Sequence, residues 1–149
     1  MKTLIIYTSI HNGNTEKIAR TMAEALDAKL VKPNEIKTDE LSRYDLIGFG
    51  SGIYSGKHHK SLLDLVSKLQ GQNNKKAFIF STRGLFPISI CHKALKKQLS
   101  EKGFNITGEF SCKGFDDYGP FKLIGGINKN KPDEKDLDDA KEFVIELNG

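Results

Sequence analysis

The sequence predicts an α/β fold in which a parallel sheet is covered by helices on both faces. Short apolar runs rich in β-branched and aromatic residues alternate with segments whose apolar residues recur at helical spacing. Parallel strands need long crossover connections, which helices usually supply, and a sheet covered on both faces can carry continuous apolar runs. The alternation therefore favours βαβ units in a single domain spanning residues 1–149.

The apolar runs divide the chain into five strands and four helices. The predicted strands are residues 2–8, 28–33, 44–51, 76–82 and 104–112. The predicted helices are residues 15–27, 61–69, 88–103 and 133–149. One long irregular segment remains, residues 113–131. Loops of that length inside a compact domain are usually functional or disordered, and the aromatic residues in this one favour a function.

Composition and charge exclude several kinds of protein. The formal charge of +4 and the sequence pI near 9.0 suit an anionic ligand or partner. The lysines are spread along the chain without an Arg-rich tract, which argues against nucleic-acid binding. No apolar run approaches the roughly 20 residues of a membrane span, and the N-terminal stretch lacks the long apolar core of a signal peptide. We therefore expect a cytoplasmic protein without membrane contact.

The cysteine and histidine residues give little support to a metal site. Cys91 and Cys112 have no CxxC spacing, so they fit reduced packing thiols better than a disulfide or a zinc site. The pairs His58–His59 and Cys91–His92 are adjacent in sequence, and no third ligand follows at a suitable spacing. Neighbouring positions on a helix do not face each other, which also disfavours Cys91 and His92 as a nucleophile and its base. We expect no bound metal.

The loop after the first strand has the composition of a phosphate site. It reads SIHNGNT from Ser9 to Thr15 and leads directly into the first predicted helix. Gly13 allows backbone amides to approach a ligand closely, the polar side chains supply neutral donors, and a helix N-terminus favours an anion. An ordinary strand-to-helix turn is the alternative, in which Asn12 and Gly13 form the bend and the next residues cap the helix. Both interpretations are open at this level.

Two common nucleotide motifs are absent. The stretch Gly50–Lys57 has one residue too many for a P-loop, and His58 stands where that motif needs a hydroxyl that binds magnesium. The dinucleotide fingerprint G-x-G-x-x-G fails in the same stretch and in the first loop. ATP or GTP hydrolysis and a resident NAD are therefore disfavoured.

Three loops that leave the carboxyl ends of predicted strands resemble the flavin-contacting loops of the flavodoxin family. They are residues 9–15, GSGIYSGK at residues 50–57, and STRG at residues 81–84. The stretch Gly13–Glu16 matches the family's phosphate loop, but the loop is one residue longer than usual and has His11 near the expected Thr. The resemblance spans nearly the whole chain. It implies a flavodoxin-like three-layer sandwich, with a five-stranded parallel sheet in the order 2-1-3-4-5 and helices on both faces.

The resemblance also implies a bound FMN, with its phosphate at residues 9–15 and its ring between the later loops. No catalytic side chain is implied, because the cofactor supplies the redox chemistry and the protein orients and tunes it. The implied cofactor-binding residues are Ser9, His11, Asn12, Gly13, Asn14, Thr15, Gly52, Ile53, Tyr54, Ser55, Gly56, Ser81, Thr82, Arg83, Gly84, Phe86, Phe115 and Tyr118.

Several members of this set have plainer alternatives. The four aromatic residues are available to flank the ring, but each can also pack in the core or anchor a loop. Arg83 beside N1 and O2 of the flavin would stabilise the reduced form. It can equally point to solvent or pair with Asp116 or Asp117.

Three functions are compatible with these residues. The first is electron transfer, in which the protein carries electrons between a reductase and an acceptor oxidoreductase. The second is an FMN-dependent reductase of a small acceptor such as a quinone or tetrapyrrole; the basic pI and the length of segment 113–131 favour it. The third is a flavin-free module that binds another phosphorylated ligand. A receiver domain of that kind needs clustered aspartates at the strand ends, and the first and third strands end in Thr8-Ser9 and Gly50-Ser51 instead.

Overall fold

The sheet is built from strands whose carboxyl ends lie at one edge. The computed structural model describes residues 1–10, 13–114 and 130–148. Within those residues six strands form one sheet: β1 (Thr3–Thr8), β2 (Lys29–Val31), β3 (Leu46–Tyr54), β4 (Lys57–His58), β5 (Lys76–Arg83) and β6 (Asn105–Lys113).

The order along the sheet is β2-β1-β3-β5-β6, and all these neighbours are parallel. This confirms the predicted five-stranded order. The sequence analysis missed β4, a two-residue strand that pairs antiparallel with the end of β3. Ser55 and Gly56 join them, both at positive φ (53° and 77°), which is the geometry of a tight type I′ hairpin. The end of β3 therefore folds back over the sheet instead of continuing as an open loop.

In the described ranges, five helices cover the sheet: α1 (Asn14–Leu26), α2 (Lys60–Lys68), α3 (Ile88–Cys91), α4 (Lys93–Glu101) and α5 (Glu134–Asn148). The prediction of one helix over residues 88–103 was wrong, because the helical path breaks at His92 (φ −91°, ψ −8°). Two short 3-10 segments, Pro33–Glu35 and Thr38–Arg43, connect β2 to β3. In the described part of the chain, each helix is too short or too polar to cross a membrane.

Successive side chains of each strand point to opposite faces of the sheet, so the core has two halves. On one face, Ile6, Phe49 and Ile79 pack with the apolar sides of α2 and α4. On the other face, Ile5 and Phe80 pack with α1 and α5. Helices on both sides explain why the central strands read as continuous apolar runs.

Two glycines of β3 make room for aromatic rings on the α1 and α5 face. Gly48 and Gly50 lie in register with Phe78 and Phe80 of β5. A Cβ atom at either glycine would clash with the ring of its register partner. Both rings are fully buried, so they have no free space into which to move. The short spacing between β3 and the helices therefore depends on glycine at these positions.

We predict that Gly50→Ala lowers the free energy of unfolding by about 1–3 kcal/mol, because the added methyl overpacks the core against Phe80. Urea denaturation measures the change. Gly71→Ala is the matched control, since a Cβ at Gly71 has no heavy atom within 4 Å. Equal stabilities for the two variants would contradict this explanation of the glycine.

Candidate functional site

The turn that starts α1 presents backbone N–H groups at the carboxyl edge of the sheet. Gly13 occupies the N-cap position in the left-handed conformation, at φ 69°. The N–H of Glu16 donates to Ser9 Oγ at 3.2 Å, which fixes the first turn against the end of β1. A Cβ at Gly13 would meet nothing within 4 Å. A helix N-terminus beside such open space favours an anionic ligand.

A buried hydrogen bond joins this turn to the end of β5. Thr15 Oγ1 and Thr82 Oγ1 lie 2.7 Å apart, and the two residues are 2% and 5% exposed. Each hydroxyl would lose its water on burial, and the shared bond replaces that water. The bond holds the start of α1 against the loop that begins at Thr82.

The end of β6 reaches the same place. Gly114 N–H donates to the carbonyl oxygen of Arg83 at 2.9 Å. A Cβ at Gly114 would lie 2.7 Å from Asn14 Nδ2, so the chain after β6 passes closely over the first turn of α1. The loops after β1, β5 and β6 therefore meet around Asn14 and Thr15.

The β3–β4 hairpin brings Gly52, Ile53, Tyr54, Ser55 and Gly56 to the same edge of the sheet. Gly52 is the register partner of Thr82. The half-buried ring of Tyr54 extends over Gly52, whose Cβ position would be 3.0 Å from the Tyr54 hydroxyl. On its other side Tyr54 meets His59 edge to face, with ring centroids 5.1 Å apart. Tyr54 is thus held in one orientation while part of its ring faces solvent.

The loop after β5 carries one cation and one exposed ring. Arg83 Nη1 donates to the carbonyl oxygen of Phe86 at 3.4 Å, which closes the loop on itself across Gly84. Arg83 Nε is buried without a hydrogen-bond partner, and Arg83 forms no ion pair within the described residues. Phe86 is 54% exposed, so the alternative of core packing is wrong for this residue.

The remaining residues implied by the resemblance are Ser81 and several that lie outside the described part of the chain. The side chain of Ser81 is fully buried on the opposite face from Thr82, which leaves its backbone as the part near the sheet edge. His11, Asn12, Phe115 and Tyr118 lie outside the described residues. The same holds for Asp116 and Asp117, the carboxylates considered as partners of Arg83.

The sequence analysis missed a row of hydroxyls that crosses the sheet on the α2 and α4 face. Its members, Thr8, Ser51, Ser81 and Ser111, lie in register on β1, β3, β5 and β6. Thr8 bonds to Ser61 Oγ of α2 at 2.7 Å, and Ser51 accepts from the His59 N–H at 2.9 Å. Four of the five predicted strands, all but residues 28–33, carry Ser or Thr near their ends. This was the available signal, but the register was needed to align them.

The fold also brings together two histidines that the sequence presented in separate pairs. The His58 and His92 rings are 5.1 Å apart, and both residues are at most 2% exposed. His58 Nε2 donates to the carbonyl oxygen of Phe80 at 3.0 Å. His92 Nδ1 donates to Glu109 at 3.0 Å, so its Nε2 is the acceptor for the Ser81 hydroxyl at 2.7 Å. These tertiary bonds fix the His92 side chain at the junction of α3 and α4.

Burial decides the charge state of both rings. It lowers the pKa of His58 from 6.5 to about 4, and it lowers the pKa of His92 although Glu109 opposes the shift. Burial acts to raise the pKa of Glu109, but the hydrogen bonds from Lys96 and His92 outweigh it and the pKa is lowered. At neutral pH the network is therefore two neutral imidazoles and one carboxylate paired with Lys96 at 2.9 Å.

Comparison with known proteins identifies the family. A family model described as a flavodoxin domain matches residues 4–114, about three quarters of the chain. The chain belongs to the flavodoxin family. Membership implies a flavin cofactor.

This flavodoxin-family chain is 56% identical over 146 residues to an uncharacterized protein of Methanocaldococcus jannaschii, covering 97% of this chain and 96% of that protein. Its fold is similar to oxidised flavodoxin 2 from Bacillus cereus, with a TM-score of 0.71, 23% identity, and coverage of 97% and 96% of the two chains. It is also similar to a flavodoxin from the domain Archaea, with a TM-score of 0.67, 18% identity, and coverage of 99% and 96%.

The described residues fit a flavin phosphate ester. The open space beside Gly13 at the start of α1 suits the phosphate, and Arg83 Nε is a buried donor that has no acceptor among the residues the structure describes. Tyr54 and Phe86 present partly exposed rings on two neighbouring loops, where a flat aromatic ligand can pack. Ser9, Gly13, Thr15 and the loops after β3 and β5 would hold the group.

We predict that stability falls by about 3 kcal/mol as the pH drops from about 6.5 to 4, because the unfolded chain binds a proton at His58 over this range and the folded protein does not. Above pH 6.5 this contribution is fully present. Urea denaturation across the range measures it, with His58→Gln as the comparison. The variant keeps a donor near Phe80 and should show a shallower pH dependence. The same slope in both proteins would contradict the role of His58.

Proposed function

We propose that this flavodoxin-family protein binds FMN and works as an electron carrier in the cytoplasm. The observation that carries the proposal is the convergence of the α1 N-terminus with the loop after β5, joined by the buried Thr15–Thr82 bond. That convergence supports a site for an anion beside loops that carry exposed aromatic rings. FMN has both parts that such a site needs, a terminal phosphate and a flat ring.

The phosphate end is the better defined part. The first N–H groups of a helix have no intrahelical partner, and the helix dipole favours negative charge there. Gly13 lets the backbone approach the phosphate oxygens without a side chain in the way. Ser9 Oγ accepts from the Glu16 N–H and Thr15 bonds to Thr82, and both bonds fix the turn. The Ser9 hydroxyl keeps its own hydrogen as a donor, so it and the other first-turn N–H groups are available to the phosphate.

The ring end is formed by Tyr54 on the hairpin and Phe86 on the loop after β5. Bound FMN supplies one- and two-electron transfer. The chain orients the ring, shields it from water and places the Arg83 guanidinium on the same loop. A positive charge close to the ring favours electron uptake, because it stabilises the negative charge that arrives. None of the described side chains needs to act as an acid or a base in this role.

Reduction of a small acceptor such as a quinone or tetrapyrrole is the second candidate. The segment 113–131 begins where β6 ends, next to Asn14, and is long enough to cover a substrate. The basic pI near 9.0 gives the protein a different charge from the acidic docking surfaces common in carrier flavodoxins. A cytoplasmic location is compatible with both the carrier and the reductase function, because Cys91 and Cys112 are buried free thiols, as is usual in a reducing compartment.

We predict that the flavin-free protein binds FMN at least about tenfold more tightly than riboflavin, because a phosphate held by the α1 N-terminus is worth about 1.4 kcal/mol or more. Quenching of flavin fluorescence measures both affinities. Gly13→Val should remove most of the difference, since a β-branched residue strains the backbone at φ 69° and reshapes the turn.

Gly71→Val is the control for that substitution, because Gly71 has open space around its Cβ position. It should bind FMN like the wild type. Equal affinities for FMN and riboflavin would remove the phosphate assignment. Binding of inorganic phosphate or a sugar phosphate without either flavin would favour the flavin-free module.

A second prediction separates a carrier from a reductase. The FMN-loaded protein, reduced with dithionite, should be reoxidised by soluble quinones and by a soluble tetrapyrrole at rates that rise linearly with acceptor concentration, as expected without a binding site for the acceptor. Stopped-flow absorbance measures the rates, with free reduced FMN as the control. Saturation at low acceptor concentration, seen with the protein and absent with free FMN, would contradict the carrier and favour the reductase.

A further inference from the structure

Four large apolar side chains are exposed within six residues of the chain. Leu85, Phe86, Ile88 and Ile90 are 65%, 54%, 36% and 50% exposed. They lie in the loop after β5 and in α3. Phe86 is also proposed to flank the flavin ring, and the other three lie within four residues of it in the sequence. Single exposed apolar residues are ordinary, but a contiguous group of this kind marks an interaction site.

The tip of the β3–β4 hairpin extends this apolar surface. A Cβ at Gly56 would lie 3.8 Å from Ile90 Cγ2, so the turn and α3 are in contact. The next residue, Lys57, is exposed. The apolar group is therefore continuous with Tyr54 on one side and with a lysine at its border.

A basic groove adjoins the apolar group on the other side. It has a volume of about 570 Å³, and its lining includes Ile88, Lys93, Lys96, Lys97 and Glu109. Lys96 pairs with Glu109 at 2.9 Å, which leaves the exposed Lys93 and Lys97 to give the groove its charge. No hydrogen bond or ion pair to either of these two lysine side chains occurs within the described residues.

Among the described residues, the surface beside the flavin loops and α5 differ in charge. Residues 46–63 and 82–100, which include the hairpin, α3 and most of α4, contain no Asp or Glu. Their basic residues are Lys57, Lys60, Arg83, Lys93, Lys96 and Lys97. On the opposite face, α5 carries six carboxylates and only two lysines. A partner approaching the flavin loops therefore meets positive charge.

We propose that Leu85–Ile90, together with Lys57, Lys93, Lys96 and Lys97, forms a docking face for an acidic electron-transfer protein. The proposal rests on the proposed carrier function, since the partner must exchange electrons with a flavin held at Thr82–Phe86. An apolar centre with a charged rim is the usual composition of a transient interface. The positive rim selects an acidic partner and accelerates its approach.

Other occupants fit this surface less well. A second copy of the chain in a two-fold dimer would bring this basic surface against itself, and like charges would repel. An anionic membrane would also attract lysines beside apolar residues. However, α3 has only four residues, which is too short for a helix that lies along a membrane surface.

The test is electron transfer from the dithionite-reduced, FMN-loaded protein to two haem proteins of opposite charge. The acidic soluble domain of cytochrome b5 and the basic cytochrome c each accept one electron per haem, as ferric iron becomes ferrous. Stopped-flow absorbance follows the haem between about 10 and 300 mM NaCl. We expect the rate with cytochrome b5 to fall about tenfold or more over this range, and the rate with cytochrome c to rise.

Two pairs of substitutions locate the effect. Lys93→Glu with Lys97→Glu should lower the rate with cytochrome b5 about tenfold at low salt and remove its salt dependence. Lys29→Glu with Lys141→Glu changes the net charge equally, on the edge strand β2 and on α5, and should leave the rate near the wild-type value. Ile90→Ser should lower the rate while the salt dependence stays, because it removes apolar contact and no charge.

FMN affinity, measured for every variant, separates this proposal from the proposed function. If no flavin binds, the carrier function fails, and the docking face is still tested by titrating the isotope-labelled flavin-free protein with cytochrome b5. Amide shifts at residues 55–60 and 83–97 support it; shifts confined to other surfaces overturn it. With FMN bound, a rate insensitive to salt and to the Lys93 and Lys97 changes overturns it. Dimerisation of the protein that is abolished by the Lys93 and Lys97 changes would also overturn the proposal. Binding to anionic vesicles that these changes abolish would do the same.

Discussion

The candidate site depends on the hydrogen bond between Thr15 and Thr82. It joins segments that are 67 residues apart in sequence, and it does so in the interior, where neither hydroxyl can turn to water instead. Losing one partner would leave the other unsatisfied, at a cost of about 1–3 kcal/mol. The bond forms only because the parallel register puts Thr82 level with Gly52 and brings the end of β5 up to the first turn of α1. Register therefore determines the position of the site as well as the core.

The two faces of the sheet contribute different groups near its carboxyl edge. The α1 face supplies the helix N-terminus and, through α5, an acidic helix with six carboxylates and two lysines. The other face supplies the row of hydroxyls, the paired His58 and His92, and the lysines of α4. The hydroxyl row closes the apolar core just below the edge, since each member bonds to a neighbour and exposes no unpaired group to a ligand. A polar ligand can then lie above the edge without disturbing the core beneath it.

Much of the fold follows from local patterns in the sequence. Alternating strands and helices predict parallel βαβ units, and the resemblance to the flavodoxin family predicts the strand order. The rule that ligands bind at the carboxyl ends of strands predicts which loops matter. The break at His92 was not predictable, because Cys91, Leu95 and Leu99 continue the helical spacing across it and all three are buried. Strand β4 was missed because two residues give no periodicity.

Contacts between residues that are distant in the chain could not be predicted from the sequence either. Thr15 and Thr82 look like unrelated loop residues until the register is known. His58 and His92 appear in separate pairs, His58–His59 and Cys91–His92, and only the packing of α4 against β4 brings their rings together. The exposure of Phe86 and Ile90 was not predictable either. Both are residue types that usually lie in the core, but in the structure they lie at the surface.

The most direct test of the account is a crystal structure of the protein grown with FMN. The account predicts phosphate oxygens within about 2.7–3.2 Å of backbone nitrogens in the first turn of α1, with the ring between Tyr54 and the loop Thr82–Phe86. A flavin bound elsewhere, or a phosphate that faces solvent while the first turn of α1 contacts only protein, would contradict it.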